Sequence, residues 1–389
     1  MRTDWTIQPF DDAVEICDSL RKPVNRRERA YRIAGKDKSQ LYPYYGATGK
    51  AGYIDQYISD GEYVLLGEDG APFLNPCAKK AYIISGKAWV NNHAHVLRSK
   101  TNNKFLCYYL NSIDYTPYVS GTTRLKLTQT QMRRIFIPVP PLSEQERIVA
   151  RIEELFSELD KAVETLQTTK RQLEVYRQAS VSSAYPDESY IRLDEIAEIS
   201  GGITKGRKLD GKQTIHLPYL RVANVQNGFL DLSEMKEIEL MEDEKEKYLL
   251  QYGDVLYTEG GDRDKLGRGT VWRNEIPNCV HQNHVFKARI KTEIAIPEYV
   301  AYWSMGTHAR NYFYSKGKQT VNLASINKSI LSALPIPLPK IEEQKLIIRE
   351  IESRLSVCDS IEQTVDTALS QADALRQSIL KEAFEGRLA

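Results

Sequence analysis

The chain has 389 residues, too many for one hydrophobic core of ordinary size, so two or three domains are expected. Hydrophobic residues make up 41% and charged residues 27%, a soluble composition, and no apolar run reaches the roughly 20 residues that cross a bilayer. A net charge of only +1 argues against a uniformly basic nucleic-acid binder. Cys17, Cys77, Cys107, Cys279 and Cys358 are scattered with no C-x-x-C pair, which fits a reducing compartment and excludes a zinc ribbon. The opening MRTDWTIQPFDDAVEI lacks the apolar core of a signal peptide, so a cytoplasmic location is expected.

Residues 1–141 read as mostly β: LYPYYGATG, GEYVLLGEDG and AYIISGKAWVNNHAHVL combine Tyr, Val and Ile with Gly and Asn turns. A short helix is expected from Phe105. Residues 142–186 read as one long helix, opened by a capping box of Ser143 and Glu146 and closed at Pro186. Its four-three apolar spacing runs Ile148, Ile152, Leu155, Leu159, Ala162, Leu166, Thr169, Leu173, Tyr176, the seam of a coiled coil. Residues 187–340 return to β patterns (LPYLRVANV, GDVLYTEGG, NHVFKARI), with a helix from Glu298. Residues 341–389 form a second long helix with the seam Ile347, Ile351, Cys358, Ile361, Val365, Ala368, Ala372, Leu375, Ile379, interrupted by Arg354 and stopped by Gly386.

The two helical segments are copies. IPVPPLSEQERIVARIEELFSELD from Ile137 aligns without a gap on IPLPKIEEQKLIIREIESRLSVCD from Ile336, an offset of 199 residues. One apolar seam cannot bury itself, so the two are expected to pack together. Chain direction then makes the pair antiparallel. The expected fold is α+β: two mostly-β domains separated by a long antiparallel two-helix coiled coil of about 55 Å, with an internal pseudo-two-fold repeat. Charge follows this division. Residues 143–185 sum to −2 and 342–389 to −4, which leaves +7 on the β-rich parts.

Polar and aromatic side chains interleave on the expected turns, and these are the candidate DNA contacts: Tyr42, Tyr44, Tyr45 and Lys50; Arg124 and Lys126; Arg207 and Lys208; Arg221 and Asn224; Arg263, Lys265 and Arg268; Lys316, Lys318 and Gln319. Arg and Lys neutralise phosphates, and Arg, Asn and Gln can bond base edges in pairs. The bland alternative is solvated lysines and tyrosines filling β cores. Enzymatic motifs are incomplete. Gly46–Ala51 lacks the spacing and the hydroxyl of a phosphate loop, and Asn75-Pro76-Cys77 lacks the second proline and aromatic of an adenine methyltransferase. Asp254 and Glu259 lack the lysine of a nuclease site, and His93/His95 and His281/His284 lack a third metal ligand. No catalytic or metal residue is assigned. Asn92-His93 matches Asn283-His284, a recurrence that points to hydrogen bonding at a strand end.

These residues resemble a known family. The segments IPVPPLSEQERIVARIEELFSELD, LPIPLPKIEEQKLIIREIES and LRQSILKEAFEGRL are similar to the two conserved regions of type I restriction-modification specificity subunits. LYPYYGATGKAGYID, WVNNHAHVLR and NHVFKARI look like their target-recognition domains. One departure is that no conserved helix precedes the first recognition domain. The resemblance implies recognition domains at 1–141 and 187–340, conserved spacer helices at 142–186 and 341–389, and a bipartite double-stranded DNA target read one half per domain. It implies two modification subunits that methylate an adenine in each half with S-adenosylmethionine bound by themselves, and restriction subunits that join them. No cofactor, catalysis or membrane is implied for this chain. The alternative is a stand-alone DNA-binding or coiled-coil scaffold protein, which salt-sensitive duplex binding and neighbouring genes would discriminate.

Overall fold

The computed structural model describes residues 5–186, 189–209, 211–319 and 324–388, without the side chains of Asp264 and Gln319. The chain forms two compact units, Met1–Gln167 with Asp366–Ala389, and Thr168–Val365, so each long helix contributes to both. In the first unit the order is β1 (Thr6–Pro9), β2 (Val14–Ile16), α1 (Arg26–Ile33), β3 (Tyr42–Gly46), β4 (Gly49–Ile54), β5 (Ser59–Asp60), β6 (Tyr63–Gly67), β7 (Ala81–Ile84), β8 (Lys87–Val90), β9 (Ala94–Ser99), α2 (Asn103–Ser112) and β10 (Phe136–Val139), followed by the start of α3 (Leu142–Ser183). Two four-stranded sheets, β2-β9-β6-β7 and β4-β3-β8-β5, accompany the β1-β10 ribbon. Every residue of β6 (YVLLG) is buried, as in a strand covered on both faces. Val64, Leu66 and Leu97 pack under Phe105, Leu106 and Leu110 of α2.

The second unit repeats this plan. After α3 come β11 (Tyr190–Arg192), β12 (Ala197–Ser200), β13 (Thr214–Leu220), β14 (Lys236–Met241), β15 (Asp254–Thr258), β16 (Gly260–Gly261), β17 (Gly269–Val271), β18 (Val280–His281), β19 (Val285–Ile290), α4 (Pro297–Met305), α5 (Thr307–Lys316), β20 (Lys318–Gln319), β21 (Ala324–Ser325), β22 (Pro335–Pro337) and α6 (Ile341–Phe384). The sheet β12-β19-β15-β17 answers β2-β9-β6-β7, and the ribbon β11-β22 answers β1-β10. In both units a parallel pair joins the second sheet, β3 with β8 and β13 with β18. The helix expected from Glu298 is split at Gly306, whose extended backbone ends α4. Ser182 Oγ there accepts the Thr307 N–H at 2.8 Å.

Inside each unit the two long helices run antiparallel. In the first, Arg376 of α6 pairs with Asp160 of α3 and lies 5.0 Å over the Phe156 ring. In the second, Arg177 meets Asp359 at 2.6 Å and Glu362 at 2.8 Å, while Lys170 reaches Glu362 at 3.6 Å. Rising numbers on α3 thus face falling numbers on α6. Ile148, Ile152, Ile379, Leu380 and Phe384 join the first core, and Phe384 stands edge-on to both Phe105 and Tyr109 at 5.2 Å.

The seam is half of the expected one. On α6 every seventh position from Gln344 to Ile379 is buried (Gln344, Ile351, Cys358, Val365, Ala372 and Ile379), and Leu380, Ala383 and Phe384 join them only at its C-terminal end. On α3, Gln145, Ile152, Leu173 and Ser180 are buried in the same register, with Leu155, Leu159 and Leu166 partly covered. The alternate rank is covered only near the start of α3, where Ile148 is buried and Leu155 half-buried: Tyr176, Ile361 and Leu375 are exposed, and Ile347 is only half-buried. A helix of 3.6 residues per turn drifts about 20° per heptad from a 3.5 repeat. The adjoining half-buried charges Arg177, Glu362 and Arg376 occupy the second rank and pair across the helices, their stems covering apolar surface.

The capping box is also corrected. The α3 helix starts at Leu142, one residue before Ser143, and the Pro141 carbonyl accepts the N–H groups of Glu144 and Gln145 at 2.9 and 3.0 Å. The Gln145 side chain closes this end instead, donating to the Pro140 carbonyl at 2.8 Å and accepting from Thr101 at 3.0 Å. Gln344, its copy, donates to the Pro339 carbonyl at 2.9 Å and accepts from Ile296 N at 2.9 Å. Gly386, at φ 78°, ends α6 as expected, with Arg387 N bonded to the Glu382 carbonyl and Gly386 N to that of Ala383.

Ile351→Ala is expected to cost about 2–5 kcal/mol in urea unfolding, and Leu375→Ala less than about 1 kcal/mol, the reverse of what equal seam positions would give.

Candidate nucleic-acid interface

In the first unit the β3-β4 hairpin turns at Ala47-Thr48, so the Gly46–Ala51 segment is a strand-to-strand turn rather than a phosphate loop opening a helix. Lys50 is exposed, with its ammonium 3.8 Å over the Tyr53 ring, and the hydrogen bond from Lys50 pulls the Tyr53 hydroxyl below its ordinary pKa. Tyr42 and Tyr45 are half-buried against Tyr57 and Tyr82. Tyr44 is buried with its hydroxyl donating to the Val24 carbonyl at 3.3 Å, and this removes it from the contact candidates. Arg124 and Lys126 are exposed at the surface, tethered to Asp69 at 2.6 Å and Glu68 at 3.3 Å. Beneath them lies a buried network. His95 places Nδ1 2.8 Å from Asp18 and Nε2 3.0 Å from the Leu127 carbonyl, and Arg21 bonds both Asp18 and Glu68. Burial works against the Asp18 carboxylate, but the hydrogen bond and charge of His95 hold its pKa below the ordinary value.

Next to this hairpin, α1 carries a basic surface, and none of its residues was among the candidates. Residues 21–50 hold nine Lys and Arg against Glu28 and Asp37, so +7 of charge sits in 30 residues. That local run was the available signal, hidden because charge was summed over whole domains. Asn25 caps α1 by accepting the Glu28 N–H at 2.9 Å. Arg29 lies 4.5 Å over the Tyr44 ring and Arg32 4.8 Å over Trp89. Asp55 binds Arg32 and Lys36, each at 2.7 Å, and the Lys36 hydrogen bond leads in holding its carboxyl low. The opposite face exposes Arg26, Arg27 and Tyr31.

In the second unit Arg207 is fork-bonded to Glu244 at 3.0 and 2.8 Å, while Lys208 is exposed on the loop after β12. Asn224 is a second correction. It is buried, its amide donates to the Asp231 and Glu234 carbonyls at 2.8 and 3.1 Å, and its oxygen accepts from Arg221 N, so it ties the β13-β14 connection together. Arg221 braces the same connection through the Glu234 carbonyl at 2.6 Å. Arg263 stacks 4.1 Å over Tyr314, Arg268 reaches Gln226 at 2.9 Å, and Lys265 meets Asp262 at 2.5 Å. The small sheet β16-β21-β20 gathers this group with Lys316 and Lys318, both exposed. The Gln319 side chain lies outside the described residues.

The two units share a frame around these surfaces. The His93 and His284 carbonyls accept the N–H of Glu68 and Glu259 at 2.8 and 2.9 Å, so the repeated Asn-His pair closes a strand end through the backbone. The matched arginines bridge to the start of the neighbouring strand, Arg98 to Tyr63 at 2.9 Å and Arg289 to both oxygens of Asp254 at 2.8 and 2.9 Å. Asp254 and Glu259, read against a nuclease pair, are thus bound to Arg289 and to His284 at 2.5 Å. Among the described residues no three His, Cys, Asp or Glu side chains are grouped to hold a metal ion. His281 is buried with Nδ1 2.6 Å from the Val285 carbonyl, and burial pushes its pKa down to about 4.

Comparison with known proteins gives a consistent pattern. A model of the type I restriction modification DNA specificity domain matches residues 15–174 and again 187–371. The chain is 26% identical over 387 residues to a putative type I restriction enzyme specificity subunit of Haemophilus influenzae, covering 95% of this chain and 92% of that one. It is 28% identical over 272 residues to the EcoKI specificity subunit of Escherichia coli, covering 65% of this chain and 58% of that one. Among solved structures, a chain from work on complex assembly and conformational transition of the type I R-M system matches with a TM-score of 0.69 at 17% identity, covering 100% and 99% of the two chains. The HsdS subunit of Thermoanaerobacter tengcongensis matches at 0.53 and 17%, covering 100% and 98%.

The His281 environment sets a pH dependence. An unfolded histidine titrates near 6.5 and the folded one near 4, so on acidification the unfolded chain takes the proton first. Stability present above pH 6.5 is lost toward pH 4, on the order of 2 kcal/mol between pH 7 and pH 5. Urea unfolding of His281→Asn, which keeps a donor near the Val285 carbonyl, should show that part of the slope removed. An unchanged slope would assign it elsewhere.

Proposed function

The chain belongs to the type I restriction-modification DNA specificity family and is a non-catalytic recognition subunit, and on that footing we propose that it reads a bipartite duplex target, one half per β domain. The single observation that carries this reading is a β frame present twice, with equivalent struts and unlike surface groups. The frame holds position while the variable surface supplies sequence preference. Lys50, Arg124, Lys126, Lys208, Lys265, Lys316 and Lys318 are the exposed candidates for phosphate contact. Tyr42, Tyr45, Arg207, Arg221, Arg263 and Arg268 shape the loops that carry them.

The long helices α3 and α6 fix the unread spacer and offer their exposed faces to two modification subunits. Those subunits would bring S-adenosylmethionine and transfer its methyl group to an adenine in each half. The described residues of this chain supply no group of metal ligands. Restriction subunits would complete the assembly, which works in the cytoplasm without a membrane anchor. No described helix is long and apolar enough to cross a membrane.

Methylated-base sequencing of DNA from a host carrying this chain with its modification subunits should return two short motifs at a fixed separation, and one continuous block would sink the reading. Deleting one heptad from each of α3 and α6 should change the separation and leave both motifs intact. A changed motif at constant separation would show that the helices are not the ruler.

A further inference from the structure

Two domains built on one frame can prefer different bases only where their chains differ. One such place is the connection into the second sheet: 25 residues separate β2 from β3, against 13 between β12 and β13. Helix α1 occupies the longer connection. The second domain instead carries residues 221–235 between β13 and β14, where the first has only the Ala47-Thr48 turn.

Helix α1 has two distinct faces. Arg29, Arg32 and the following Lys36 are committed to the sheet side by ring contacts and by Asp55. On the other side Arg26, Arg27 and Tyr31 project to solvent, and Tyr31, 85% exposed, is more exposed than any other large apolar or aromatic side chain described. Among the described residues neither Arg26 nor Arg27 has an ion-pair partner, although 27% of the chain is charged. A helix with its side chains is roughly 10–12 Å wide, and a major groove about 12 Å. Arginine forks match guanine O6 and N7, and an aromatic or apolar side chain can contact the thymine methyl. Helix α1 itself carries four arginines against Glu28, and the two on its exposed face favour a polyanion over a protein surface. The half-buried arginine anchors Arg29 and Arg32 tie the helix to the sheet before binding, which lowers the ordering cost.

We propose that α1 enters the major groove of the half-site read by the first domain, and that Arg26, Arg27 and Tyr31 select bases there. This rests on the reading of the chain as a DNA-recognition subunit. The second domain has no equivalent device at that connection among its described residues, so base selection there depends on other segments, with 221–235 the unlike one.

The test uses the complete modification complex in a host lacking other adenine methylation, with Arg26→Lys/Arg27→Lys and Tyr31→Ala compared with the parent. Lysine keeps the phosphate attraction and loses the two-pronged bond. Methylated-base sequencing should show one half-site relaxed at one or more positions, with wrong-base sites gaining about ten-fold relative to the parent motif, while the other half-site and the spacing stay fixed. Retention of the second half-site excludes misfolding as the cause. An unchanged motif in every variant, or a uniform fall in methylation at all sites, would overturn the proposal by reducing α1 to a phosphate contact or to none. If the parent itself gives one continuous motif, the bipartite reading fails, and α1 is then judged by whether the variants change a base within that block.

Discussion

A helix of more than forty residues with one apolar stripe cannot be stable alone in water, and everything else in this molecule follows from how that stripe is covered. Each of the two long helices is shared between both compact units, and each unit contains one stretch of α3 against one stretch of α6. The buried rank is a strict repeat of seven on α6, from Gln344 to Ile379. Beside much of the second rank, charges pair across the helices instead. This gives a contact that is specific in register and only partly apolar. Register matters here because a slip by one heptad would shift each helix by about 10 Å.

Each end of the helix pair is fixed to its β domain by a glutamine. Gln145 and Gln344 are both buried, both donate to a proline carbonyl just ahead of the helix, and both accept from the neighbouring domain. A buried amide satisfied on both sides has one favourable geometry, so helix and sheet are held without play. The aromatic contacts of Phe384 with Phe105 and Tyr109 add apolar area at the same junction in the first unit. A domain held this way can place its exposed loops on a fixed target, and loop composition can then vary without disturbing the frame.

How much of this was legible depended on range. The helices and their duplication could be read because each position depends on its neighbours three, four and seven residues away. Exposure of Tyr176 and Leu375 was not legible, because the sequence shows an apolar residue at the right spacing without showing that Arg177 and Arg376 beside them take the interhelical place. Asn224 and Tyr44 read as base contacts by residue type, and only the carbonyls of Asp231, Glu234 and Val24, brought in by the fold, commit them to structure. Helix α1 was missed although RRERAYRI is a strong local signal, because its charge is diluted in the sum over the β-rich parts and the sequence does not show which arginines the Tyr44 and Trp89 rings take up.

The most direct test of two equivalent readers on an antiparallel ruler is to replace residues 187–340 with a second copy of residues 1–141 and sequence the bases methylated by the resulting complex. The account predicts the half-site of the first domain twice, as an inverted repeat, at the separation found in the parent. A direct repeat, or survival of the parent's second half-site, would contradict it.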